Sequence, residues 1–152
     1  MNIKKILCAV DFSDVSERAV LYSAEIASRY DASLHLLHVI EYLPGMDHYL
    51  ILALPPQEIY QKLADQAEDK LKELTKQIQQ EVPVEYEVRE GKAFVEIVGK
   101  AREIGADLIV IGSHGKTGLA HILIGSVAEK VARKASCSVL IYRDKGVQFE
   151  MP

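Results

Sequence analysis

The residues best placed to do chemistry fall in one stretch, IGSHGKTGLAHILIGS, Ile111 to Ser126. Gly115-Lys116-Thr117 reads like the end of a Walker phosphate loop. Such a loop needs a glycine five residues ahead of its Gly-Lys-Thr, and Val110 stands there instead. What remains is a different spacing: Gly112, two residues, Gly115, nine residues, then Gly125-Ser126. Gly112 and Gly115 would let the backbone come close to a ligand and take positive φ. Gly125-Ser126 would open a helix whose unsatisfied N–H groups and positive dipole end suit an anion, phosphate above all. The Ser126 hydroxyl would add a hydrogen bond or cap that helix. Lys116 either reaches a terminal phosphate or is a solvated loop lysine. On spacing alone the glycines serve phosphate binding or only turns.

Asp11 follows a short apolar run at the start of the chain. A carboxylate at the end of a first strand can accept hydrogen bonds from ribose hydroxyls, and it can equally be a turn residue ahead of the next helix. The histidines suggest no catalysis. His114 and His121 find no serine and acid with which to form a triad. His35 and His38, three apart on a strand, face opposite sides and cannot share a metal. No pair of carboxylates stands at a recognisable active-site spacing.

The elements that would position these residues can be read from periodicity. Ile3–Val10 reads as a buried parallel strand. Asp14, with Glu17 three residues on, marks a helix start, and an apolar face runs from Ala19 to Tyr30. Ser33–Ile40 is a second strand. Residues 41–56 are irregular and apolar, with Pro44-Gly45 and Pro55-Pro56 as breakers, and would form either a contact surface or a cover over the core. Residues 57–81 carry an amphipathic stripe of Ile59, Leu63, Ala67, Leu71, Leu74 and Ile78, stopped by Pro83. Val84, Tyr86 and Val88 alternate with charged residues, the pattern of an edge strand. Ala93–Ile104 is a helix closed by Gly105. Residues 107–111 form an apolar strand running into the glycine loop, 125–135 a helix and Ser138–Tyr142 a last strand. The alternation predicts a three-layer α/β sandwich: an open five-stranded parallel sheet, Rossmann-like, with helices on both faces and right-handed crossovers. In such a sheet ligands bind beyond the carboxyl ends of the strands, where strand order reverses.

The bulk numbers fit one domain, 1–143, followed by a tail, 144–152. The chain has 152 residues, 49% hydrophobic and 26% charged, and a net charge of −4, which disfavours binding to a nucleic-acid backbone. Cys8 and Cys137 sit in apolar runs without metal-ligand spacing and are expected as reduced thiols. Residues 6–10 are too short for a signal peptide or membrane span, so the expected compartment is the cytoplasm.

Taken together, the segments KKILCAVDFSDVSERA, LLHVIE and ADLIVIGSHGKTGLAHILIGSVAEKVARKASCSVLIYR resemble the universal stress proteins of the nucleotide-binding type, over Ile3 to Arg143. The resemblance implies strand order 3-2-1-4-5 and a site for ATP, with ADP, AMP or a cyclic nucleotide as alternatives and Mg²⁺ or Mn²⁺ on the phosphates. Asp11 would meet the ribose. Ala9, Val10 and Val39 would line the adenine pocket. Gly112, Gly115, Gly125 and Ser126 would hold ribose and phosphates, with Ser113, His114 and the N–H of Val127 beside them. Ala9 stands where the family often carries proline, which matters little if backbone contacts dominate. The resemblance also implies a homodimer by antiparallel pairing of the last strands, Ser138–Tyr142, acting as a nucleotide-dependent switch in stress response.

Hydrolysis would be slow at most, because no general base or metal cage is evident. Two alternatives remain. One is a dimeric scaffold that keeps its glycines for shape. The other is an enzyme of a related fold, but a nucleotidyltransferase would carry H-x-G-H after its first strand and an ATP pyrophosphatase S-G-G-x-D-S. Asp11-Phe12-Ser13-Asp14 argues against both.

Overall fold

Five short runs that are apolar on one or both faces pair into one parallel sheet. In the computed structural model, which describes residues 2–41, 56–114 and 124–144, these are β1 (Lys5–Ala9), β2 (Ser33–Ile40), β3 (Val84–Glu90), β4 (Leu108–Gly112) and β5 (Ser138–Tyr142). The helices are α1 (Asp14–Tyr30), α2 (Pro56–Lys76), α3 (Ala93–Ile104) and α4 (Ser126–Lys134). The strand order is β3-β2-β1-β4-β5, as expected. Gly115, Lys116, Thr117, His121, the apolar stretch 42–54 and the tail beyond Asp144 lie outside the described residues.

The period of two sorts each strand between two cores. Ile6, Cys8, Leu34, Leu36 and Val110 face α1 and α2, meeting Val20, Ala24, Leu71 and Leu74. Leu7, Leu37, Ile109 and Ile111 face α3 and α4, meeting Ile97, Ala101, Ala128 and Val131. The central strands are covered on both sides, which is why they read as unbroken apolar runs. The two edges differ: β3 alternates with charge, whereas β5 is half-buried from Val139 to Tyr142.

Local chemistry moved several expected boundaries. The N-cap of α1 is Ser13, whose hydroxyl accepts from Ser16 N, so Asp14 is already helical. The second helix ends at Lys76 rather than 81. There the hydrogen bonds tighten, with Gln77 N donating to Leu74 O and Ile78 N to Thr75 O. The turn brings Ile78 and Val82 onto the first core, which a straight helix would carry past it. Gly105 closes α3 in the left-handed region, φ 63°, as the sequence predicted. The helix after the glycine loop starts at Ser126, with Gly125 as its N-cap. The Ser126 hydroxyl therefore does not cap it.

Candidate functional site

Strand order reverses between β1 and β4. The chain leaves β1 towards α1 on one face of the sheet and leaves β4 towards α4 on the other. The crevice this opens at the carboxyl ends of the strands is a cleft of about 260 Å³. Ala9, Val10, Asp11, Val39, Gly112, Ser113, His114, Gly125, Ser126 and Val127 all line it. So the structure gathers every described member of the set that the sequence singled out.

Three local devices shape the cleft. First, Ser113 pins the ends of the glycine loop. Its N–H donates to Tyr142 O at 2.7 Å, and its carbonyl accepts from Gly125 N at 2.6 Å. Its buried hydroxyl lies 3.0 Å from His114 Nδ1. A side chain at Gly125 would put its Cβ 3.2 Å from that same Ser113 carbonyl. Second, Asp11 folds the β1–α1 connection. Its Oδ1 accepts from Ser13 N at 3.1 Å and from Ser13 Oγ at 2.6 Å. Asp11 is thus the turn residue that the sequence offered as one of its two readings, and it also lines the cleft. Third, two helix N-termini point at the cleft and differ in electrostatics. At α3, the Ala93 N–H donates to the Glu41 carboxylate. At α4, Gly125 supplies no capping side chain, and the first-turn N–H groups have no acceptor inside the helix.

The reading of Gly112 needs correction. It does not take positive φ; it ends β4 in register with Tyr142. The reason for glycine there is crowding, since a Cβ would stand 3.2 Å from Val15 Cγ1 and 3.3 Å from His114 O. Glycine admits the first turn of α1 against β4, so the close approach is protein to protein.

The pattern of the universal stress protein family matches residues 2–143. The chain belongs to the universal stress protein family. Universal stress protein MJ0531 of Methanocaldococcus jannaschii is 37% identical over 145 residues, covering 92% of this chain and 82% of that protein. The solved structure of MJ0577, also from that organism, superposes with a TM-score of 0.81 at 32% identity, covering 96% of this chain and 100% of that one. A universal stress protein crystallised in complex with cAMP superposes at 0.61 with 29% identity, covering 93% and 97%.

Beside the expected residues, this universal stress protein brings Ser16, Leu37, Glu41, Ala93, Ile97, Ile111 and Ala128 to the cleft. Leu37 was recoverable, since it lies two residues before Val39 on the same face of β2. Ser16, whose hydroxyl accepts from Asp11 N at 3.3 Å, lies one turn into a helix, where only the cap geometry points to it. Glu41 and Ala93 meet across two connections far apart in sequence and left no signal. Among the described residues, no group of three His, Cys, Asp or Glu side chains is close enough to hold a metal ion. No described helix is long and apolar enough to cross a membrane.

Proposed function

We propose that this universal stress protein binds an adenine nucleotide, ATP foremost, in the cleft between β1 and β4, and works as a cytoplasmic homodimeric switch. The observation that carries the reading is the uncapped N-terminus of α4, which opens onto a cleft lined both by apolar residues and by Asp11, Ser113 and His114. Phosphates would sit against the N–H groups of Ser126 and Val127, close to Gly112, Ser113, His114 and Gly115, where the helix dipole offsets their charge. The base would lie between Ala9, Val10 and Val39, with Leu37 behind it. Asp11 would accept from the ribose hydroxyls. Mg²⁺ or Mn²⁺ would travel with the phosphates, and hydrolysis would be slow. The α3 end, already held by Glu41, leaves α4 as the favoured anion seat. The homodimer would form through the edge strand β5, whose half-buried apolar residues would otherwise remain an open edge.

The test is a thermal-shift titration of nucleotide-stripped protein with Mg-ATP, beside Gly125→Asp. A carboxylate at that N-cap would occupy the N–H groups that phosphate needs. It would also favour the helix, while its Cβ presses on the Ser113 carbonyl, so the Tm of the unliganded variant is measured beside the parent's to check its fold. Ligand at about 100 times its dissociation constant adds roughly 2.7 kcal/mol to stability, readily seen as a rise in Tm. The expected result is a saturable rise in the parent and none in the variant. Sedimentation of the same samples should give twice the chain mass. No rise in the parent would sink nucleotide binding, and a monomer at micromolar concentration would sink the dimer.

A further inference from the structure

Phe12 has φ +60°. Among the described residues only Asp31 is another non-glycine at positive φ, and Asp31 is a helix C-cap, where that conformation is ordinary. A bulky aromatic residue in the left-handed region is an outlier, and such a residue persists only where its surroundings over-determine it. Here they do. The Phe12 ring packs on His38, centroids 4.5 Å apart, and Lys70 Nζ of α2 lies 5.3 Å from the ring centre. His38 Nδ1 stands 2.7 Å from Val10 O. A carbonyl only accepts, so Nδ1 carries the proton in this contact. Val10 N in turn donates to Leu37 O. The residue between these fixed points is Asp11.

Neither Phe12 nor His38 lines the cleft. Phe12 packs against the α1–α2 core, and His38 shares that face of β2 with Leu34 and Leu36. We infer that Phe12 and His38 are positioning residues: from the far face of the sheet they lock the β1–α1 turn so that the Asp11 carboxylate is held towards the sugar hydroxyls of the ligand. This rests on the nucleotide reading above and extends it. Discrimination for the sugar would depend on two residues that do not touch the ligand. Phe12→Gly accepts φ +60° without strain but releases the turn, because glycine gains freedom and the ring leaves His38. His38→Leu removes the donor to Val10 O. His38→Gln and Phe12→Tyr keep the donor and the ring respectively.

Calorimetric binding of ATP and of 2′,3′-dideoxy-ATP separates positioning from mere structure. The parent should prefer ATP by about tenfold, the worth of one hydrogen bond at 1.4 kcal/mol. Phe12→Gly and His38→Leu should bring the ratio close to one by weakening ATP alone, while Phe12→Tyr and His38→Gln retain it. Either of the first pair suffices if the other does not fold. Variants that weaken both nucleotides equally, or that keep the parent's ratio, overturn the proposal and leave the nucleotide reading intact. A parent that binds both alike overturns the sugar contact and the proposal with it. A parent that binds neither overturns the nucleotide reading as well.

Discussion

His35 shows how a single side chain couples packing to pH. It lies on the α3 face of β2 with its Nδ1 3.2 Å from the Glu85 carboxylate, a contact that is an ion pair only if the ring is protonated. Burial holds its pKa below the ordinary 6.5; Glu85 pulls the other way, and Lys100 and Lys5 add to the lowering. Burial wins, so at neutral pH the contact is a hydrogen bond that the neutral ring donates through Nδ1–H to the Glu85 carboxylate. Below pH 6.5 an unfolded chain takes up a proton that the folded chain resists, so acidification favours unfolding. The stabilisation is fully present above 6.5 and drains away as pH falls towards the lowered value. His35→Gln should therefore lose less Tm than the parent between pH 7.5 and 5.5; equal losses would show that His35 does not titrate as described. Residue identities in the site were legible for a related reason. Asp11, Gly125 and Ser126 stand next to strand or helix ends, where chemistry is restricted and spacing is informative. The reason for Gly112 was not legible, because the crowding that demands it comes from Val15 on another element. Phe12 was invisible too, since nothing in its type announces a positive φ.

At the scale of elements, strands and helices were readable because the apolar period differs between them, and because edge strand β3 alternates with charge. The meeting of elements was harder to read. Glu41 is the first residue after β2, yet it serves the N-terminus of α3 across 52 positions. Lys92, the N-cap of α3, contributes no side-chain hydrogen bond, so Glu41 supplies the acceptor that a Ser or Asp cap would normally provide. Its charge also complements the positive end of the helix dipole. Glu41→Ala should cost about 1 kcal/mol in urea denaturation, with faster hydrogen exchange at Ala93. Glu41→Gln should cost less, because an amide oxygen still accepts. An alanine variant as stable as the parent, with unchanged exchange, would mean that water serves this helix end equally well. The same logic sharpens the asymmetry of the site. One helix end is held by a protein carboxylate, and the other carries no capping side chain.

At the scale of the whole molecule, the sheet is sealed at its centre and more open towards its β5 edge, and the two cysteines report on each region. Cys8 sits on β1, paired with Leu36 on one side and Val110 on the other, and is fully buried. Burial pushes its thiol up to about 12, against a smaller opposing effect from the Ser23 hydroxyl. Cys137 precedes β5 and is only partly covered; burial raises its pKa too, with Asp107 adding to the rise. A disulfide reagent attacks thiolates, so both thiols should react slowly, but by different routes. Cys137 needs only local motion at the sheet edge. Cys8 needs β1 to leave the sheet, which means unfolding both cores that it separates. For a domain stable by at least about 5 kcal/mol, that opening slows reaction more than about a thousandfold relative to the unfolded chain. The measurement is thiol titration at pH 8 in rising urea, with Cys137→Ser to isolate Cys8. The Cys8 rate should follow the global unfolding transition. Reaction of Cys8 in native buffer at the pace of Cys137 would mean that β1 opens independently of the rest. The turn that carries Asp11 would then move with β1, because it is the direct continuation of that strand.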